Sequence, residues 1–293
     1  MTLTLRPLHR HFAAEASGLD LTRPLTPAET AAVVAALDQH AVLVWRGQPM
    51  EQEQQVAMAK QFGPLNPGLK KIGGRVERMR DLALIDISNV DPDGVPLPRD
   101  NPKIISGLAN QLWHSDSSFQ APAVSYSMLS AVKLPSWGGE TEYVDLRAAW
   151  DALPVRLKQQ VRGLEAEHFA LHSRITLLGD DGYTPEQLAV LPAVVWPLHR
   201  IHPGSGRDVL FCGIHCRRVL GMGVAEGKML LLDLLEHATQ LQFRYTHHWQ
   251  PGDLVMWDNR ATLHRGRAYD LNEPRELRRT TNDEIPEAAR AVA

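Results

Sequence analysis

The spacing of apolar residues changes period along the chain, and each change predicts an element. TPAE (Thr26 to Glu29) sets a threonine N-cap, a proline at the first helical position and a glutamate that closes a capping box, so a helix is expected to about His40. AVLVW (Ala41 to Trp45) is short, apolar and β-branched, and predicts a buried strand. Helix formers then run through EQEQQVAMAKQF until Gly63 and Pro64 stop them.

Residues 64–105 carry repeated turn signals (NPG, IGG, DPDG, LPRDNP), and only LALIDISNV, Leu82 to Val90, has a strand-like core. A stretch of this length predicts a cover over a site or, with equal weight, a plain surface insertion. Beyond it YSMLSAV, PSWGG, ETEYVDL, VVWPLHRIHP and DVLFCGIHC read as short strands, interrupted by helices over LRAAWDAL, PVRLKQQVRGL and VAEGKMLLLDLLEHA. FRYTHHW and RELRRTTND alternate, LVMWD is apolar, and the PGD between FRYTHHW and LVMWD predicts that these two strands pair as a hairpin. The pattern predicts a mainly β fold with flanking helices, built on a double-stranded β-helix: a jelly-roll, cupin-like core.

Composition narrows the function classes. With 293 residues and 44% hydrophobic content, one elaborated domain spanning 1–293 is expected. Its 31 basic and 34 acidic residues include no long basic run, which argues against nucleic acid and for small-molecule partners. Cys212 and Cys216 cannot build a disulfide framework, and MTLTLRPLHRHF lacks the layout of a secretion signal, so a cytoplasmic setting is expected. No apolar run reaches the ~20 residues of a membrane span.

The chemistry centres on LWHSDSSF, Leu112 to Phe119. Read as a strand, it puts His114 and Asp116 on one face, ~6.6 Å apart along the axis, with Ser115 on the other. That geometry disfavours a Ser-His-Asp relay and favours a metal. In a chain with 13 histidines, however, about half a His-x-Asp arises by chance. A third ligand must come from His168, His172, His199, His202, His215, His237, His247, His248 or His264. Cys212, His215 and Cys216 lack the paired spacing of a structural zinc site. His264 stands apart because it leads toward a strand from Arg275 to Asp283 with Arg275, Leu277 and Arg279 on one face. Alternation alone favours an outward, solvated arginine face. An inward face would leave two buried guanidinium groups that demand anions. Two histidines and one carboxylate leave three open positions on a metal, as non-haem Fe(II) oxygenases require.

These residues resemble the taurine/2,4-dichlorophenoxyacetate dioxygenase (TauD/TfdA) family of Fe(II)/2-oxoglutarate enzymes. The resemblance runs from LRPLHRHFAAEASGLDL and VLVWRGQPM through FGPL, DISNV, NQLWHSDSSF, WGGETEY and HPGSGR to GDLVMWDNRATLHRGR and RELRRTT. It implies that His114, Asp116 and His264 ligate iron. It implies that Arg275 holds the distal carboxylate of 2-oxoglutarate with Thr141 as hydroxyl partner, and that Trp257 lines the same pocket. Arg279 matches a position that engages the anionic end of substrate or cosubstrate, and Asn110 a substrate-facing one. Lys70 and Lys71 could add cations, although solvated lysine in a Gly-rich loop is the ordinary reading.

The implied cofactors are Fe(II), 2-oxoglutarate and dioxygen. The implied reaction hydroxylates the carbon beside the carboxylate of an aryloxyalkanoate such as 2,4-dichlorophenoxyacetate, giving a phenol, glyoxylate, succinate and CO2. Rival readings are the same chemistry on a sulfonate, alkyl sulfate or natural aromatic acid, a zinc hydrolase, or a metal-free jelly-roll binding protein. A homo-oligomer is implied by resemblance alone.

Overall fold

The computed structural model describes residues 2–68, 78–179, 191 and 193–285, so Lys70 and Lys71 lie outside the described residues. The chain begins with β1 (Thr4–Pro7), β2 (Ala14–Ser17), α1 (Pro27–His40), β3 (Val42–Trp45), α2 (Gln52–Ala59), β4 (Ile85–Ser88) and α3 (Pro102–Gly107). It continues through β5 (Val124–Lys133), β6 (Thr141–Asp145), α4 (Leu146–Ala152), α5 (Val155–Val161), β7 (Glu165–His168), α6 (His172–Leu178) and β8 (Val194–Pro197). Then follow β9 (His199–Ile201), β10 (Asp208–Leu210), β11 (Cys216–Val219), α7 (Val224–Ala238), β12 (Arg244–His247), β13 (Leu254–Asp258), β14 (Thr262–Gly266) and β15 (Glu276–Asp283). The capping box at α1 forms: Glu29 N–H donates to Thr26 Oγ1 at 3.3 Å, and Thr26 N–H donates to the Glu29 carboxylate at 2.9 Å. Among the described residues no helix is long and apolar enough to cross a membrane.

The large sheet runs β1-β2-β3-β13-β5-β15-β4, and a smaller sheet runs β12-β6-β14. The apolar runs of β3 and β13 are explained by burial on both faces. Leu43, Trp45, Leu254 and Met256 pack beneath α1 and α2 with Leu37 and Met58. Val42, Val44, Val255 and Trp257 point the other way, against Tyr143 of the smaller sheet. That sheet-on-sheet core is the jelly roll, and its inner face carries the site. On the far side of the smaller sheet, Val144 and Leu263 join Trp150, Leu230 and Leu234 in a third cluster that holds α4 and α7 in place.

Several expectations are corrected. FRYTHHW and LVMWD do not pair around PGD, because β12 pairs with β6 while β13 pairs with β3 and β5. The turn carries the chain from one sheet to the other, and buried Asp253 pins it by accepting from Gln250 N–H at 2.8 Å. PSWGG is no strand but a turn, with Gly138 and Gly139 at φ +74° and +76°. LWHSDSSF is no strand either: His114 makes a single antiparallel bridge to His264, and the chain turns from Asp116 onward. Within residues 64–105 the strand-like core of LALIDISNV does form, as the edge strand β4 paired to β15, while the short helix α3 was not expected.

Candidate active site

His114 and His264 meet through their backbones. Each N–H donates to the other's carbonyl, at 3.0 Å and 2.8 Å. This exchange sets the two imidazoles 4.2 Å apart between centroids, tilted by 47°. Asp116 joins them two residues later, its oxygens 4.0 Å from His114 Nε2 and 3.8 Å from His264 Nε2. All three are buried, and their potential ligand atoms lie within 4.8 Å of one another. The i to i+2 convergence expected of a strand is thus achieved by a bridge followed by a turn, in which Ser117 takes a left-handed φ of 46°.

The surroundings prepare these atoms for a cation. Leu112 O lies 2.7 Å from His114 Nδ1, so Nδ1 carries the proton and Nε2 presents a lone pair. Burial lowers the pKa of both imidazoles, which favours the neutral, ligating form. Burial by itself would raise the Asp116 pKa, but Arg279, the two histidines and the Ser127 hydroxyl together hold it at about 2. Ser127 Oγ donates to Asp116 Oδ2 at 2.7 Å, and Arg279 Nη1 to Oδ1 at 2.5 Å.

Arg279 therefore faces inward, which corrects the outward reading of the arginine face. Leu277 on the same face is fully buried. The opposite face is polar but also covered, since Glu276 pairs with Arg78 at 3.1 Å. With both faces carrying charge and neither solvated, alternation could not say which was inside.

Arg275 ends in a second buried place. Its Nη2 donates to Gly139 O at 3.0 Å and its guanidinium lies 5.0 Å from the centroid of the Tyr269 ring. Among the described residues no carboxylate pairs with it. Burial lowers its pKa from the ordinary guanidinium value. Thr141 and Tyr143 share the inner face of β6, with Tyr143 directly opposite His264 on β14. Thr141 Oγ1 accepts from Trp249 Nε1 at 3.0 Å. Trp257 places its ring 4.8 Å from that of His264. Asn110 is exposed on a single 3-10 turn, Leu108–Gln111, and no hydrogen bond ties its side chain to the triad among the described residues.

The profile of the taurine catabolism dioxygenase TauD, TfdA family matches residues 4–281. This chain belongs to the TauD/TfdA family. It is 53% identical over 281 residues to the alpha-ketoglutarate-dependent 2,4-dichlorophenoxyacetate dioxygenase of Cupriavidus pinatubonensis (strain JMP 134 / LMG 1197), covering 96% of this chain and 98% of that protein. It is 36% identical to the (S)-phenoxypropionate/alpha-ketoglutarate-dioxygenase of Sphingobium herbicidovorans, covering 92% of this chain and 91% of that one. The crystal structure of AAD-2 in complex with Mn(II) and N-oxalylglycine superposes with a TM-score of 0.89 at 42% identity, over 97% of this chain and 98% of that one.

Within this TauD/TfdA chain, tertiary structure adds residues that motif reading missed. Asn259 is the hub beneath the triad: its Oδ1 accepts from Asp116 N–H at 3.1 Å and from Trp257 Nε1 at 3.0 Å, while its Nδ2 donates to Ser127 Oγ at 2.9 Å. Its only sequence signal was its place after LVMWD. Tyr143 keeps a buried hydroxyl with no partner among the described residues, and so does Nδ1 of His215. The His215 ring lies 6.1 Å from that of His114 and 4.8 Å from that of Phe119.

The other candidate histidines have structural partners. His168 bridges Ser118 Oγ and Cys216 Sγ, each at 3.1 Å, so the Cys212, His215 and Cys216 run is core and not a zinc site. His202 bonds Asp258 at 2.9 Å. Together with Asp38 these two form a second cluster of metal-ligating types, but Arg260 already occupies the Asp258 carboxylate, and Ser205 N–H donates to His202 Nδ1.

Proposed function

We propose that this chain is an Fe(II)/2-oxoglutarate-dependent dioxygenase that hydroxylates aryloxyalkanoic acids at the carbon beside the carboxylate. The observation that carries the reading is a buried His114, Asp116 and His264 triad set beside a buried Arg275 that has no carboxylate partner among the described residues. Two neutral imidazoles and one carboxylate are a donor set suited to Fe(II) with open positions. An unneutralised guanidinium in the interior is costly unless an anion completes it, and 2-oxoglutarate carries a distal carboxylate for that purpose. The residues present therefore fit both groups.

When bound, iron with 2-oxoglutarate and dioxygen supplies the oxidative chemistry, releasing succinate and CO2 as a C–H bond is hydroxylated. The protein's share is binding, orientation and exclusion of water. His114, Asp116 and His264 would hold the iron. Arg275 and Thr141 would hold the distal carboxylate of the cosubstrate, with Trp257 closing one wall. Arg279, already beside Asp116, would meet the acid group of substrate or cosubstrate, and Asn110 would stand at the substrate mouth. His215 and Phe119 border the same space from the opposite side.

The substrate class is supported by the relatives named for 2,4-dichlorophenoxyacetate and phenoxypropionate. Hydroxylation between an ether oxygen and a carboxylate makes a hemiacetal, which collapses to a phenol and glyoxylate. In aerated buffer with Fe(II), 2-oxoglutarate and 2,4-dichlorophenoxyacetate, phenol and succinate should form in equal amounts. Succinate without phenol would overturn the substrate class, and a panel of sulfonates and alkyl sulfates would then locate the true one. Without oxygen, Fe(II) and 2-oxoglutarate should give a visible charge-transfer band that His264→Ala removes; a band that survives the substitution rejects His264 as a ligand.

A further inference from the structure

We infer that Trp249 is a positioning residue for the cosubstrate pocket: its indole N–H keeps the Thr141 hydroxyl a donor and turns that hydrogen toward the space beside Arg275. The inference rests on the proposed reading of that space as the 2-oxoglutarate site.

The direction of the bond fixes the chemistry. An indole N–H can only donate, whereas a threonine hydroxyl has one hydrogen to give and two lone pairs to accept with. At 3.0 Å, Trp249 Nε1 therefore occupies a lone pair of Thr141 Oγ1 and leaves the hydroxyl hydrogen to point elsewhere. Thr141 is 3% exposed, and among the described residues its hydroxyl hydrogen has no acceptor. A buried donor without an acceptor is costly, so the site is incomplete until an acceptor enters. Arg275 Nη2 is bound to Gly139 O, two residues back along the chain from Thr141, which sets the guanidinium at the Thr141 end of β6. A hydroxyl and a guanidinium together describe a carboxylate site.

The indole is itself held. His247 lies opposite Thr141 across β12 and β6, and Gly266 lies opposite it across β14. From the β12 side Trp249 stands edge-on to the His247 ring, 4.4 Å between centroids at 87°. The His247 imidazole bonds Asp253 Oδ2 at 3.1 Å through Nε2 and the Tyr245 hydroxyl at 3.2 Å through Nδ1. Asp253 is bound in turn by Arg46. On the β14 side glycine offers no side chain, so Trp249 is the group that sets the hydroxyl's direction.

The test is a double-substitution cycle read by anaerobic titration of the Fe(II) protein with 2-oxoglutarate, following the charge-transfer band. Trp249→Phe keeps a ring and removes the donor, and should weaken 2-oxoglutarate binding about three- to tenfold, the worth of one lost hydrogen bond. In a Thr141→Val background the same change should leave the affinity unaltered, and in a Thr141→Ser background the weakening should return. Equal weakening in all three backgrounds would show that the indole acts by packing alone, and no weakening in any would show that it does not act; either overturns the inference. Absence of any band in the unaltered protein would instead reject the reading of the site as a whole.

Discussion

Arg275 donates to the carbonyl of Gly139 at 3.0 Å, so a buried cation is anchored to neutral backbone, and among the described residues no carboxylate is in ion-pair contact with it, Glu140 acting on it only from farther off. Such a pairing leaves most of the guanidinium charge uncompensated until an anion arrives.

Arg275→Met should therefore separate stability from function. The thioether fills similar apolar volume without desolvating a charge, so thermal stability is expected to hold or rise by roughly 1 kcal/mol. Affinity for 2-oxoglutarate should fall by two orders of magnitude or so, the worth of a charged hydrogen-bonded pair. A melt together with an anaerobic 2-oxoglutarate titration checks both signs.

Gly139→Ala tests how closely the anchor is fitted. Gly139 has φ +76°, and a Cβ there would lie 2.9 Å from Arg275 Nε. Left-handed strain adds about 1 kcal/mol of destabilisation, and the arginine must shift to relieve the clash. The expected result is a raised KM for 2-oxoglutarate with iron affinity unchanged. Unchanged KM would mean that the arginine position is not what binds the cosubstrate.

Asn259→Ala probes the support under the proposed metal ligands. It removes the acceptor of Asp116 N–H and Trp257 Nε1 and one donor to Ser127 Oγ. Affinity for Fe(II) or Mn(II) should drop about 10- to 100-fold, as when other outer supports of metal ligands are removed. Calorimetric metal titration supplies the measurement.

His168 predicts part of the acid sensitivity. Burial lowers its pKa to about 3, with Arg200 adding a smaller push in the same direction. The unfolded chain binds a proton near pH 6.5 that the folded one refuses. Stability is thus full above that value and falls by about 1.4 kcal/mol per pH unit as pH drops from 6.5 toward 3. His168→Gln should reduce the slope of urea stability against pH by about that amount, and an unchanged slope would refute the assignment.

Local order was legible in the chain. Thr26 and Glu29 state a helix start within four residues, because capping is a short-range hydrogen-bond exchange. The uninterrupted apolar runs of β3 and β13 announce strands covered on both faces. His114 and Asp116 were candidates from spacing, His264 from its place ahead of the arginine-bearing strand, and resemblance to a family gave His264, Arg275 and Arg279 their implied roles. What no spacing expresses is which strand lies beside which: β12 and β13, adjacent in sequence, part to opposite sheets.

The sequence by itself determined the elements and the residue types available for chemistry, because turns, caps and periodicity are properties of neighbours along the chain. Only the tertiary structure decided that the arginine face of β15 looks inward, since Glu276 on its other face is buried against Arg78 and alternation cannot choose between two polar faces. It alone joined His114 to His264 by a pair of backbone hydrogen bonds, set Asn259 beneath Asp116 and stood Trp249 against Thr141. Those contacts span distances along the chain over which no local rule acts, and they form when two sheets close on a common core.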